Sequence, residues 1–360
     1  MKQQTNFTPG PSQLYFTVFD HVRQAFKEGI PSISHRSKKF ESISREATDG
    51  LRELLGLRDE HQIFFTGSAT EIWERIFQNL VRETSFHFVN GSFSKRFHQI
   101  GIQLGKNPQK IEQPAGQGFG SGTALPENTE MIAVTHNETS TGVSVPLDWL
   151  HNLKKERPNA LLVVDAVSSL PYPAFDYSLV DSVFFSVQKA FGLPAGLGVW
   201  IVNEACIEKA EQLAAQNIST GSYHSIQSLS EHAKKNQTPE TPNVLGIYLL
   251  GKVVGDFLRR GVETLRRETD YKATILYQAL EQHPLFSPFV EQKQYRSATV
   301  IVANTGAHTE KLTGFLAEHG LHAGAGYGTG KKTQLRFANF PAHSKEQFEL
   351  LVDTLGTYAG

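Results

Sequence analysis

Six short runs of mostly apolar, β-branched and aromatic residues constrain this chain more than any other feature. They are QIFF at 62–65, SFHFVN at 85–90, EMIAVTH at 130–136, ALLVVDA at 160–166, SVFFSV at 182–187 and LGVWIVN at 197–203. Each is too short for a stable helix and lacks clean polar alternation, which suits strands buried on both faces. Helical or loop segments separate most of them, including amphipathic stretches from about Val18, from about Glu41 to Leu55, and at EIWERIFQNL. Strands alternating with helices predict an α/β fold with a largely parallel sheet covered on both sides. The segment 215–243 is polar and turn-rich, and a long helix over about 245–260 follows it. From about 262 the order becomes helix, a strand at ATVIVAN (298–304), then helix and strand again, which reads as a smaller α+β unit. The start, with Pro9, Gly10 and Pro11 close together, reads as an extended arm. The predicted division is a large domain over 16–250 and a small one from 1–15 with 251–360.

Charge and cysteine usage narrow the function classes. The 35 basic and 36 acidic residues balance to a net charge of -1, which provides no field for nucleic acid or an anionic membrane. No apolar run approaches the ~20 residues that span a bilayer. A single cysteine, Cys206, excludes an internal disulfide framework and suits a reducing compartment, and MKQQTNFTPGPS lacks the apolar core of a signal peptide. These features predict a cytoplasmic protein with small-molecule partners. No metal-ligand spacing stands out.

In open α/β sheets, ligands sit beyond the carboxyl ends of the strands. Past the six runs stand Gly67-Ser68-Ala69-Thr70, Asn90-Gly91-Ser92-Phe93, Asn137-Glu138-Thr139, Asp165 and Gln188-Lys189. The backbone N–H groups of TGSAT at a helix start, with the Ser68 and Thr70 hydroxyls, form a potential phosphate cradle; equally, Ser68 or Thr70 can simply cap that helix. Asp165, after five apolar residues, needs a positive partner or serves as a turn residue. Lys189 either marks where a buried strand surfaces or presents its amine as a reagent. An amine and a carboxylate at neighbouring strand ends fit a plain ion pair. They also fit pyridoxal phosphate, which needs a lysine to bond its aldehyde and an acid to keep its ring nitrogen protonated. Phe93 can cover the ring or belong to the core, and Thr139 can donate to the ring oxygen.

The blocks NFTPGPS, SHRSKKF, TGSATE, NGSF, HNETSTG, VVDAVSS, QKAFGLPAGLGVWIVNE, ETPN and LRFANFP run over nearly the whole chain in one order. In this it resembles the class V, fold type I aminotransferases, and among them the phosphoserine aminotransferases. The resemblance implies a large domain with a mostly parallel seven-stranded sheet flanked by helices, plus a smaller α+β domain. It makes Lys189 the Schiff-base lysine, with Gln188 beside it, and pairs Asp165 with the pyridinium nitrogen. Ala69 and Thr70 fall in the phosphate loop, beside the Ser68 hydroxyl of the potential cradle, and Thr139 meets the ring oxygen. Phe93 stands where the family usually has a stacking tryptophan. Thr241, with Glu240 where the family has asparagine, falls where a chain reaches the cofactor phosphate of its neighbouring subunit, which implies a homodimer with a shared active site. A glutamate is a poor phosphate ligand, so the implication is stronger for Thr241.

On the substrate side, His35 and Arg36 match a histidine–arginine pair of the family. Arg336 matches the arginine expected to grip the substrate α-carboxylate, where planar bidentate geometry favours arginine over lysine. The second histidine–arginine pair usual before that arginine is absent; the stretch GYGTGKKTQLRF offers Tyr327, Lys331 and Lys332 instead. The resemblance implies glutamate as amino donor and 3-phosphohydroxypyruvate as acceptor, in serine biosynthesis. The missing pair leaves open a class V transaminase acting on alanine or serine with glyoxylate or pyruvate.

Overall fold

The computed structural model describes residues 4–120 and 122–360, so the first three residues of the expected N-terminal arm lie outside the described residues. The six runs form six strands of one seven-stranded sheet, in the spatial order Gln62–Thr66, Gly198–Val202, Ser182–Ser186, Leu161–Asp165, Met131–Thr135, Thr84–Val89 and Asn107–Glu112. All run parallel except Gly198–Val202, which is reversed against both neighbours. The edge strand Asn107–Glu112 escaped the sequence reading because its residues, NPQKIE, are largely exposed and carry no apolar run.

Adjacent residues on each strand enter different cores, as the period of two requires. Phe65, Val164, Phe185 and Ile201 pack on one face with Phe40, Ala47 and Leu51 of the helix Lys38–Leu55 and with the helix Val244–Arg260. Phe64, Val163, Phe184 and Trp200 pack on the other with Ile72, Trp73, Ile76 and Phe77 of the helix Ala69–Leu80. Both faces are thus covered, which explains why the strands are apolar throughout. The helix expected from about Glu41 starts three residues earlier because the Ser37 side chain caps it, accepting the Phe40 N–H at 3.2 Å.

A second sheet has the order Thr5–Phe7, Leu321–Ala325, Gln334–Ala338, Val300–Asn304 and Ser287–Pro288. Thr5–Phe7 joins it parallel to Leu321–Ala325, so part of the arm is a strand rather than free extended chain. Phe7, Ile301, Phe337, Leu276 and Leu351 make its core. The polar segment 215–243 also contains a helix, Ile226–Ala233, capped by Ser225 and anchored on Ile226 and Leu229. Among the described residues, no helix is long and apolar enough to cross a membrane.

Candidate active site

The reversed strand creates the site's central loop. Because Gly198–Val202 returns antiparallel to Ser182–Ser186, no crossover helix is needed, and residues 187–197 form a short tight connection. Lys189 sits in it, with its carbonyl accepting the Gly192 N–H at 2.9 Å while Val187 N–H bonds Leu197 O at 3.2 Å. The N-terminal arm braces this loop: Ser12 N–H donates to Gln188 O at 3.0 Å and Tyr15 N–H to Gly192 O at 2.8 Å. Gly10, at φ +149°, lies directly on the lysine; a methyl group there would stand 3.0 Å from Lys189 Cε.

The lysine amine is buried, 7% exposed, and donates to Thr139 Oγ1 at 2.8 Å. Thr139 in turn donates to Ser168 Oγ at 2.9 Å, and Ser168 to Asn137 O at 2.9 Å. The ammonium lies 5.1 Å from the centre of the Phe93 ring. Burial lowers the amine pKa to about 8, with the Arg336 charge assisting and Asp165 and Glu138 opposing. A lysine tuned to that range is a nucleophile and base near neutral pH.

Asp165 ends the neighbouring strand, opposite Thr135 on one side and Phe184 on the other. Its Oδ2 accepts the Trp73 indole N–H at 3.1 Å and its Oδ1 accepts the Val167 N–H at 3.0 Å. Burial raises its pKa to about 6, restrained by the Val167 N–H, the Lys189 charge and the indole. Each of the two charges acts on the other's titration, so both face one electrostatic environment.

The second sheet supplies Arg336. Its Nε donates to Ala325 O at 2.8 Å and one terminal nitrogen to Thr139 O at 3.2 Å, so the residue that holds Lys189 also holds Arg336. The guanidinium lies 5.3 Å from the Tyr327 ring centre, and that ring is 5.4 Å from the Phe93 ring. Phe93 is fixed by Glu138, which is fully buried and accepts the Phe93 N–H at 3.3 Å, the Ser94 N–H at 2.9 Å and the Ser140 hydroxyl at 2.6 Å. Only glycine fits at 91, where a methyl group would stand 2.3 Å from Glu138 Cγ. A cleft of about 440 Å³ adjoins, lined by Gly91, Ser92, Ser140, Tyr327 and Thr329 among others. Lys331 and Lys332 stand exposed on the turn Gly328–Lys332 that precedes the Arg336 strand.

The loop Gly67–Thr70 leads into the helix Ala69–Leu80. Ser68 caps it, accepting the Glu71 N–H at 3.2 Å, while the Ala69 N–H donates to Ser186 Oγ at 2.8 Å and ties the loop to the lysine's own strand. Gln188 neighbours Lys189 at the same strand end, and Thr70 is exposed. Arg36 donates to Gln237 Oε1 at 2.9 Å, Thr238 O at 2.7 Å and Pro239 O at 3.2 Å, and His35 feels the charge of Glu240. Glu240 turns its carboxylate to His224, 3.0 Å from Nε2, and Thr241 stands exposed beside it.

Sequence reasoning overlooked Trp73, Glu138 as a brace, Ser168, Ser186 and His224. Trp73 carried the one usable signal, a polar N–H on an otherwise apolar helix face. Cys206 is fully buried and its thiol is pushed up well above its ordinary range by burial, which makes it inert. Among the described residues, no group of three or more His, Cys, Asp or Glu is placed to hold a metal.

The donor set fits pyridoxal phosphate: a buried amine of lowered pKa, a buried carboxylate on the adjacent strand, an aromatic face, a hydroxyl and a helix start suited to phosphate.

The model of the aminotransferase class-V family matches residues 121–340. A crystal structure of a phosphoserine aminotransferase from Cytophaga hutchinsonii is 50% identical, with a TM-score of 0.98 and full coverage of both chains. The phosphoserine aminotransferase of Rhodococcus opacus is 27% identical over 336 residues, covering 89% of this chain and 86% of that protein. An alanine–glyoxylate aminotransferase structure from Nostoc, at 22% identity, shares the fold with a TM-score of 0.84 over 99% and 95% of the two chains. The chain belongs to the class V aminotransferases.

Proposed function

We propose that this enzyme is a phosphoserine transaminase, moving the amino group of glutamate to 3-phosphohydroxypyruvate for serine biosynthesis. The observation that carries the reading is the Lys189–Asp165 pair: an amine held near pKa 8 and a carboxylate held near 6, at the carboxyl ends of adjacent strands. The likeness to a phosphoserine aminotransferase at 50% identity supports the substrate class.

Pyridoxal phosphate, when bound, supplies a reactive aldehyde carbon and a conjugated ring that accepts the electron pair released at the substrate Cα. Asp165 would hold the cofactor's ring nitrogen protonated, and the Trp73 and Val167 N–H groups orient that carboxylate and favour its ionised form. Ser68, Ala69 and Thr70 would hold the cofactor's phosphate, Gln188 and Thr139 would contact the cofactor, and Phe93 would offer an aromatic face to its ring. With pyridoxal phosphate bound, Lys189 would take the proton from the substrate Cα as general base and, as the ammonium so formed, would hand it on to the cofactor's former aldehyde carbon. Arg336, anchored through Ala325 O and Thr139 O, presents its remaining N–H groups to the α-carboxylate and fixes Cα over the lysine. The Tyr327 ring lies against the guanidinium, which is 5.3 Å from the ring centre, and helps fix its orientation. Lys331 and Lys332 receive the distal phosphate.

The active unit is a homodimer. Phe16 and Phe19 are 74% and 69% exposed, and Phe19 and Phe26, seven residues apart, share one face of the helix Val18–Lys27. A second copy covering this strip would bring the exposed Thr241, with His35 and Arg36 near it, to the partner's site, while Glu240 stays against His224 of its own chain. The domains of this reading are 16–250 and 1–15 with 251–360, which the presence of two separate sheets supports, and its compartment is the cytoplasm, supported by a lone buried thiol.

A half-reaction screen tests the assignment. The protein loaded with pyridoxal phosphate is mixed separately with glutamate, phosphoserine, serine and alanine, and the visible absorbance is followed. Bleaching by glutamate and phosphoserine but not by alanine supports the reading. Bleaching by alanine or serine alone gives the enzyme to the glyoxylate- or pyruvate-using branch instead.

A further inference from the structure

His224 lies in the loop before the helix Ile226–Ala233 and is 3% exposed. Its Nδ1 meets Glu71 Oε1 and its Nε2 is 3.0 Å from Glu240 Oε2. The Nδ1–Glu71 contact is a hydrogen bond, whereas Nε2 and Glu240 face each other at ion-pair distance without hydrogen-bond alignment; a ring with a carboxylate beside each nitrogen is favoured as the imidazolium. The other Glu71 oxygen accepts the Gly67 N–H at 3.0 Å. One ring therefore joins the first residue of the Gly67–Thr70 loop, through Glu71, to the segment that carries Glu240 and Thr241.

The surrounding charges make the clamp a balanced unit. Arg75, one turn after Glu71, places Nε 3.5 Å from Glu71 Oε1, and its guanidinium lies 6.0 Å from the Tyr223 ring centre. Tyr223 covers the imidazole at 4.2 Å, and His35, beyond Glu240, feels that carboxylate's charge. Two carboxylates thus face two cations at the edge of a loop suited to a dianion. Without the imidazolium, the excess negative charge would repel a phosphate held there. Burial alone would lower the His224 pKa, but the two glutamates outweigh it and raise it to about 9.

We propose that His224 is a positioning residue whose protonated ring clamps the Gly67–Thr70 loop to the Glu240–Thr241 segment and neutralises it, so that the loop holds the cofactor phosphate only while the ring is charged. The inference rests on the reading of that loop as the phosphate site.

The test measures dissociation constants on apo-protein for pyridoxal phosphate and for pyridoxal, which lacks the phosphate. The ratio of the two isolates phosphate recognition and cancels the titration of Lys189, which both ligands share. His224→Gln is expected to reduce that ratio about 10- to 100-fold at pH 7.5, because its neutral amide removes the positive charge that faces the two glutamates. His224→Gln with Glu240→Gln, which removes the excess charge, is expected to recover at least about a third of the loss on a logarithmic scale. In the wild type the ratio falls between pH 8 and 10, while the phosphate remains a dianion, and in His224→Gln it stays flat. Glu240→Gln alone keeps a histidine with one carboxylate and moves the fall to lower pH, which covers the case in which His224→Gln fails to fold. Wild-type ratios in His224→Gln, or an unmoved midpoint in Glu240→Gln, overturn the clamp. Failure of the wild type to bind either ligand would instead overturn the cofactor reading beneath it.

Discussion

The Trp73 indole N–H donates to Asp165 Oδ2 at 3.1 Å across the gap between a helix and the sheet. It supplies a neutral donor to a carboxylate whose burial works against ionisation. Trp73→Phe keeps the packing in the core and removes that donor. The expected result is a fall in kcat of about tenfold, the worth of one hydrogen bond to a charged group. Removing a group that lowers the Asp165 pKa also shifts the acidic limb of the rate profile upward from near 6, read from kcat measured between pH 5 and 8.

The pKa of Lys189 sets the pH dependence of cofactor uptake. Burial lowers it to about 8, so the free amine, the form that bonds an aldehyde, grows as pH rises and is the majority above that value. Apo-protein is expected to take up pyridoxal phosphate about tenfold faster for each pH unit gained below 8, then to level off. Stopped-flow absorbance gives the rates. After borohydride treatment, the cofactor mass should sit on the peptide containing Lys189; a Lys189→Ala variant should show neither signal.

Gly10 has both reasons to be glycine: a positive φ and contact with Lys189 Cε. Gly10→Ala is expected to push the lysine from its productive position, lowering kcat about 10- to 100-fold while KM for glutamate changes less than about threefold. An equal rise in KM would point to loosened substrate binding rather than a displaced amine.

Lys331 and Lys332 stand where the family's second histidine–arginine pair is missing. Replacing both with alanine is expected to raise KM for 3-phosphohydroxypyruvate about tenfold, since each exposed ion pair is worth up to about 1 kcal/mol. KM for pyruvate should hold within about twofold, and the phosphorylated substrate's KM should become less sensitive to salt. Parallel changes for both acceptors would remove the distal-anion role.

The apolar runs made the large sheet legible in the sequence, because strands buried on both faces leave an unbroken hydrophobic trace. Asp165 and Lys189 were legible for the complementary reason: charges that close an apolar run need an explanation. What stayed hidden lacked such contrast. Asn107–Glu112 is an exposed edge whose pairing comes from its neighbour, and Thr5–Phe7 is a strand only because residues 321–325 accept it. Trp73 and Ser186 look like ordinary core and strand residues until the fold brings Asp165 and Ala69 against them. His224 is paired across 153 positions with Glu71, a separation that no local pattern encodes.

The pairing of Thr5–Phe7 with Leu321–Ala325 has a consequence for synthesis. Residues 5–7 are translated long before their sheet partners, so a chain emerging from the ribosome carries this segment unpaired until residues 321–325 are free. The arm then settles Gly10 against Lys189 and Ser12 against Gln188. Catalytic competence therefore waits on synthesis of that strand, and a nascent chain stalled short of it would hold a folded large sheet around an unfinished site.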